Sequence, residues 1–142
     1  MTKEQILENF DPSQPGLADA TIFGLPFSAE QSEIIVIPVP WEVTVSYGSG
    51  ASKGPDAVLD ASFQVDLNHQ EFPELWKLGI YIDKPAKNLK KKSKKFKKQA
   101  APIIKALESG MILDHHPSLT KDLEKINYAC SDMVEAVREQ TL

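Results

Sequence analysis

The chain has 142 residues, of which 42% are hydrophobic and 25% charged, and its formal net charge at pH 7 is −4. This composition is typical of a globular protein with one modest core, and the negative charge argues against affinity of the whole protein for nucleic acid. A single cysteine, Cys130, excludes an internal disulfide framework. Residues 1–10 do not resemble a secretory leader, and no apolar run approaches the roughly 18–20 residues of a membrane span. We therefore predict a cytoplasmic protein without a membrane segment.

Two short segments precede the first predicted strand. Residues 2–9 predict a helix that is capped by Thr2, with Gln5 three residues later as the second half of a capping box. Residues 17–27 predict an irregular arm that packs either on the body of the protein or against another copy. Its apolar anchors are Ile22, Phe23, Leu25 and Phe27. We assign residues 1–33 to this N-terminal helix and arm.

A strand and a long polar loop form the centre of the chain. The apolar run at 34–39 predicts a strand that is buried on both faces. The loop at 42–53 is rich in glycine, serine and threonine. Glycine permits positive φ and a close approach of the backbone to a ligand. Since α/β folds bind ligands at the carboxyl ends of their strands, this loop is a candidate ligand-binding segment.

The sequence after the loop predicts a crossover helix and a second strand. Gly54-Pro55-Asp56 is typical of a helix start, because proline suits the first turn and aspartate the positive end of the helix dipole. The side chains predicted to face the sheet are Ala57, Val58, Ala61 and Val65. The run at 78–82 predicts the second strand. The order strand, helix, strand predicts a parallel pair with a right-handed crossover.

Residues 84–109 form a lysine-rich helical segment, with nine lysines between Lys84 and Lys98. Its predicted apolar face consists of Leu89, Phe96, Ala100, Ile103 and Leu107. Pro102 is expected to kink or restart this helix. The lysines have two interpretations, a solvated helix face or a patch that binds RNA or another anionic surface.

The last part of the chain predicts a polar turn and a long helix. Asp114, His115 and His116 are adjacent, but a metal site needs three or four converging ligands, so we predict no metal ligand here. A helix is predicted from about Leu119, with Ser118 or Thr120 as its cap. Its apolar stripe consists of Leu119, Leu123, Ile126, Cys130, Met133 and Val137. This spacing predicts one buried face, on which Cys130 is a small core residue.

Residues 44–62 resemble the ureohydrolase family, the group of arginase, agmatinase and formimidoylglutamase. The resemblance is carried by a pattern like T-x-S-Y-x-x-G-A-x-x-G-P-x-A-[IV]-x-x-A-S. The matching residues are Thr44, Ser46-Tyr47, Gly50-Ala51, Gly54-Pro55, Ala57-Val58 and Ala61-Ser62. Ser49, Lys53 and Leu59 stand at or near places where the family often has arginine. The family's metal-binding motifs, of the GGDH, DAHxD and DxDxxDP kinds, do not occur in the chain.

The resemblance implies an α/β fold, the N-terminal part of a three-layer arginase-like architecture with a mainly parallel sheet. Residues 34–142 would belong to that domain, with the lysine-rich segment at about 84–109 as a helical insertion. Because a two-stranded parallel sheet leaves strand edges and faces uncovered, we expect the fold to be incomplete in this chain.

The family's activity is hydrolysis of a guanidine or amidine C–N bond in a small substrate. Two Mn²⁺ ions would activate a shared water, and the enzyme would be a homo-oligomer. The resemblance gives this chain the rim loop 44–54 and no catalytic residue or metal ligand, so the chain alone is predicted to be inactive. The substrate-binding residues that it implies are Thr44, Ser46, Tyr47, Gly50 and Gly54.

Two other functions remain open. The chain is interpreted alternatively as a non-catalytic truncated homologue that binds or caps a full-length subunit through its exposed sheet edge. The second alternative is a binding module that uses the lysines at 84–98 to contact nucleic acid or another anionic surface.

Overall fold

The structure, a computed structural model, describes residues 1–16, 20–45 and 48–142. In these ranges the chain forms helices α1 Lys3–Asn9, α2 Gly54–Ser62, α3 Leu89–Glu108 and α4 Pro117–Gln140, and strands β1 Ile34–Val36 and β2 Ile80–Ile82. None of the described helices is long and apolar enough to cross a membrane.

The chain divides into two compact units, each built from two stretches of sequence. The first unit comprises Met1–Pro38 and Pro55–Lys84, and the second comprises Val39–Gly54 and Pro85–Leu142. The division at residue 33, inferred from the sequence, does not coincide with this boundary and stays a prediction about the larger fold.

The first unit is built around the N-terminal segments. The predicted capping box of α1 is confirmed, because Thr2 Oγ1 accepts the Gln5 N–H at 3.3 Å and Gln5 Oε1 accepts the Thr2 N–H at 3.0 Å. The apolar core of this unit consists of Ile6, Leu25, Phe27 and Trp76. Ile22 is buried as well. The anchors at 22, 25 and 27 therefore pack inside the unit, whereas residues 17–19 of the predicted arm lie outside the described residues.

Strands β1 and β2 pair in parallel, with Ile34 opposite Ile80 and Val36 opposite Ile82. The parallel pairing is confirmed, although each strand has only three residues. The prediction that β1 is buried on both faces is wrong, because Ile34 and Ile35 are 41% and 42% exposed. The sheet of the described residues has two strands, so each strand has one neighbour and the apolar side chains of β1 keep much of their surface in solvent.

Ser62, and not the predicted apolar stripe, is the buried residue of helix α2. Ala57, Val58 and Ala61 are exposed, so the prediction that they face the sheet is wrong, and Val65 lies exposed beyond the helix end. Ser62 is buried instead. Its Oγ accepts the Phe23 N–H at 2.9 Å and donates to the Leu59 carbonyl at 2.7 Å. The bond from the Phe23 N–H links the C-terminal turn of α2 to the segment before β1, whereas the bond to Leu59 lies within the helix.

The core of the second unit lies between helices α3 and α4. It consists of Val43, Ala100, Ile103 and Ile126, surrounded by Trp41, Phe96, Ile104, Leu113, Leu119, Leu123 and Cys130. The predicted stripe of α4 is therefore confirmed at its centre, and Cys130 packs as a small core residue. The stripe packs against the apolar face of α3.

Three details of these helices differ from the prediction. Helix α3 runs through Pro102 without ending, so it does not restart there, and the alternative of a kink stays a prediction. Leu107 is 51% exposed and does not belong to the buried face. Helix α4 begins at Pro117, a residue that suits the first helical turn. Its N-terminus has no side-chain cap. Thr120 Oγ1 instead donates to the Leu113 carbonyl at 2.9 Å.

The helix pair predicts a clear difference between two substitutions on α4. Ile126 is 1% exposed, so Ile126→Ala should lower the free energy of unfolding by about 2–5 kcal/mol through lost burial and a residual cavity. Val134 is 60% exposed, and Val134→Ala should change it by less than about 0.5 kcal/mol. Urea denaturation followed by circular dichroism measures both. Equal effects of the two substitutions would contradict the packing of Ile126 between α3 and α4.

Candidate functional site: the loop after the first strand

The predicted substrate-binding residues lie on a loop that the structure describes in part. Thr44 is exposed and Gly50 is half-buried, with φ of +140°. Gly54 is the first residue of α2. Nothing lies within 4 Å of a Cβ built at Gly50 or Gly54, so the backbone there is open to a ligand. Ser46 and Tyr47 lie outside the described residues, and the assignment of all five residues to substrate binding stays a prediction.

The loop is organised by Glu42, a residue that the sequence analysis did not select. Its carboxylate is buried at 2% exposure. Oε1 accepts from Ser49 Oγ at 2.9 Å and from Lys97 Nζ. Oε2 accepts the N–H groups of Gly50 at 3.0 Å and Ser52 at 2.9 Å, and also Ser52 Oγ at 3.0 Å. The donors on Glu42 therefore come from both the loop and helix α3.

Helix α3 holds residue 42 at two points. Ser93 and Lys97 are four residues apart and lie on one face of the helix. Ser93 Oγ accepts the Glu42 N–H at 2.8 Å, and Lys97 Nζ contacts the Glu42 carboxylate and Ser49 Oγ. The interpretation of the lysines as a solvated face is therefore wrong for Lys97. The apolar pattern of the chain carries no signal for this pair, because the two partners are 55 residues apart.

The contacts determine what the Glu42 carboxylate can do chemically. The hydrogen bond from Lys97, followed by that from the Ser52 N–H, lowers the pKa of Glu42 well below its ordinary value. The group is therefore ionised at neutral pH. An ionised carboxylate has about four lone-pair sites on its two oxygens, and five donors already use them. Glu42 is thus a structural anchor for the loop and not a free general base.

The remaining candidates for chemistry do not converge. His115 and His116 are exposed at a short turn before α4. Among the described residues no group of three or more His, Cys, Asp or Glu side chains is placed to hold a metal ion. The side chains that the structure describes therefore do not fit the pair of manganese ions that the resemblance implies. The predictions that this chain contributes no metal ligand and no catalytic residue stay predictions.

A comparison of sequences gives one informative match. A stretch of 60 residues, 41% of the chain, is 38% identical to N(1)-aminopropylagmatine ureohydrolase from Synechocystis sp.. The matched stretch spans 20% of the length of that relative. No protein-family model matches the chain, and no solved structure matches it significantly. The similarity supports the ureohydrolase family as the source of the resemblance, and the small parallel sheet with its helices is compatible with an arginase-like α/β fold.

The lowered pKa of Glu42 predicts a loss of stability in acid. A carboxyl group with a lower pKa in the folded state stabilises the fold above its ordinary pKa of 4.5 and loses this contribution as the pH falls below that value. The midpoint temperature of thermal unfolding of the native chain should therefore decrease as the pH is lowered from 5 to 3. Scanning calorimetry measures this change. Glu42→Gln should show a lower midpoint at pH 7 and a weaker pH dependence.

The matched control is Glu108→Gln, which removes an exposed carboxylate from α3 and should keep the slope of the native chain. Identical pH slopes for Glu42→Gln and the native chain would contradict an ionised and stabilising Glu42.

Proposed function

We propose that this chain is part of a ureohydrolase, an enzyme that hydrolyses a guanidine or amidine C–N bond in a small substrate. The observation that supports this most strongly is the 38% identity over 60 residues to a ureohydrolase. The residue pattern at 44–62 and the order strand, loop, helix, parallel strand agree with it. We further propose that the enzyme is a cytoplasmic homo-oligomer.

The part of this chain in the reaction is the loop 44–54, which we assign to the rim of the substrate site. The exposed Thr44 hydroxyl offers a hydrogen-bond acceptor, and nothing lies within 4 Å of a Cβ at Gly50 or Gly54 that would keep a substrate away from the loop. A guanidinium group has only N–H donors in its plane, so acceptors of this kind suit it. Ser46 and Tyr47 belong to the same proposed rim.

The proposed enzyme uses two Mn²⁺ ions to supply the attacking hydroxide. Since the described residues offer no fitting ligand set, the proposal places the ions on residues other than these and assigns no step of the reaction to a side chain described here. The contribution of this chain is access and orientation of the substrate. The relative named above acts on N(1)-aminopropylagmatine, as its name states, and a positively charged guanidino substrate of that class is the first to test.

A chimera tests the assignment of the loop. Residues 33–63 of this chain would replace the equivalent segment of the Synechocystis enzyme, and release of urea from N(1)-aminopropylagmatine would be measured with Mn²⁺ present. The chimera should keep measurable activity, and Gly50→Val in the chimera should lower it at least tenfold, because a branched side chain is strained at φ of +140°.

A matched control is Val58→Ala in the chimera, a change on the exposed face of α2 that should leave the activity unchanged. The chain alone should release no urea. A folded chimera without activity, or hydrolysis by the chain alone, would contradict the proposal.

A second candidate function, binding of single-stranded RNA, is favoured by one surface of the second unit. Lys91, Lys94, Lys95 and Lys98 are exposed and follow helical spacing along one side of α3. Tyr128 of α4 is 77% exposed and lines a shallow groove together with Lys95 and Phe96. Cations beside an exposed aromatic ring suit a phosphate backbone with a stacked base. The sequence alone offered only Phe96 as an aromatic partner, and Tyr128 comes from a helix more than 30 residues away.

The test is binding of oligouridine by fluorescence anisotropy at 50 and 200 mM salt. If the surface binds RNA, affinity should fall steeply with salt, and the triple change Lys91→Glu, Lys94→Glu, Lys95→Glu should abolish it. Lys121→Glu, which reverses one exposed charge on α4, is the charge-matched control for the single change Lys94→Glu. Absence of binding at 50 mM salt, or equal weakening by the control, would exclude this second function.

A further inference from the structure

We propose that Glu42 is a positioning residue for the loop 48–53 and that Lys97 is its dedicated counter-ion, so that the lysine-rich helix α3 determines the shape of the loop. The role of the loop at a substrate site rests on the function proposed above. The positioning itself is a property of this chain and is measured without any substrate.

Polar contacts replace apolar packing in this loop. The residues at 48–53 are exposed or half-buried, and nothing lies near the position of a Cβ at Gly48 or Gly50. No apolar core side chain therefore fixes their position. The N–H groups of Gly50 and Ser52 both donate to the same oxygen of Glu42, while the Lys53 N–H donates to the Gly50 carbonyl at 2.8 Å and closes the turn.

The donors from the loop converge on one oxygen. The N–H groups of Gly50 and Ser52, on either side of Ala51, both donate to Glu42 Oε2, and backbone N–H groups of one turn that converge in this way bind an anion. In this loop the anion is the carboxylate of Glu42, the residue before the buried Val43. Because Val43 belongs to the core between α3 and α4, the carboxylate is attached to a fixed point, and the loop is bound to it.

The charge of the buried Glu42 carboxylate is balanced by Lys97. A buried carboxylate is costly unless it is both paired and hydrogen-bonded. Of the described residues, Lys97 is the charged side chain in contact with Glu42. The Glu42 N–H donates to Ser93 Oγ, one helical turn before Lys97 on α3. This bond places residue 42 beside Lys97, so the ammonium group reaches the carboxylate.

An ordinary stabilising ion pair would behave differently from a positioning pair. If the pair only stabilised the second unit, its removal would lower stability and leave the loop geometry unchanged in the folded protein. If the pair positions the loop, neutralising Lys97 weakens the hold on Gly50 and Ser52 while the helices stay folded. For the proposed enzyme, the consequence is a raised KM at little cost in kcat, because the rim of the site changes and the reacting groups do not.

The experiment is a pH titration of backbone amides in the ¹⁵N-labelled chain by two-dimensional NMR. In the native chain the amide proton shifts of Gly50 and Ser52 should follow one common titration in acid, reporting protonation of Glu42. This titration should be absent in Glu42→Gln. In Lys97→Met its midpoint should move to higher pH, because the largest source of stabilisation of the carboxylate is gone, and Lys97→Arg should restore most of the shift.

Two controls separate loop positioning from general damage to the fold. Lys98→Met removes an exposed lysine next along α3 and should leave the Gly50 and Ser52 titration unchanged. The amide of Met111, which donates to the Ala106 carbonyl at 3.0 Å, reports whether α3 stays folded. If Glu42→Gln does not fold, the Lys97 variants carry the test.

The proposal is overturned if Lys97→Met leaves the Gly50 and Ser52 amides as they are in the native chain while Met111 is unperturbed, so that it behaves like Lys98→Met. An inactive chimera in the hydrolysis assay would remove the proposed function and leave the titration result standing. The two failures are therefore distinguishable.

Discussion

The second unit depends on one electrostatic constraint, the burial of the Glu42 carboxylate. A charged group at 2% exposure must receive enough donors to replace its lost hydration. Two of those donors are backbone N–H groups of the loop, and a third is a lysine of α3. The need of this carboxylate for hydrogen-bond donors thus determines both where the loop lies and which lysine of α3 forms an ion pair with Glu42. The packing of α3 on α4 encloses Val43, the residue after Glu42, in the core.

Features with a local signal were predictable from the sequence. The capping box of α1 needs only Thr2 and Gln5, three residues apart, and it forms as predicted. The stripe of α4 repeats with helical spacing over several turns, and its centre at Ile126 is buried. The parallel order of the two strands follows from the helix that connects them. In the first two cases the signal lies within one helix, and in the third it lies in the helix that connects the two strands.

Features that depend on distant partners were not predictable in the same way. The nine lysines between Lys84 and Lys98 are alike in sequence, and only the position of Glu42, 55 residues before Lys97, distinguishes that one. The apolar run of β1 is typical of a buried strand, yet burial requires a covering layer that a pair of strands does not have. Helix α2 carries alanines suited to close packing, but Ser62 makes the contact that holds it. Of the candidate site, the location of the loop was predictable and its anchor was not.

The position of Gly79 has a consequence for how the sheet tolerates substitution. This glycine has φ of +76° between a short turn and β2, and a Cβ there would lie 2.8 Å from the carbonyl oxygen of Gln31. Its amide nitrogen and its carbonyl bond to Trp76 and to the start of β1, so main-chain atoms alone set the alignment of the two strands. Substitution should therefore be strongly restricted at Gly79, a residue that has no side chain.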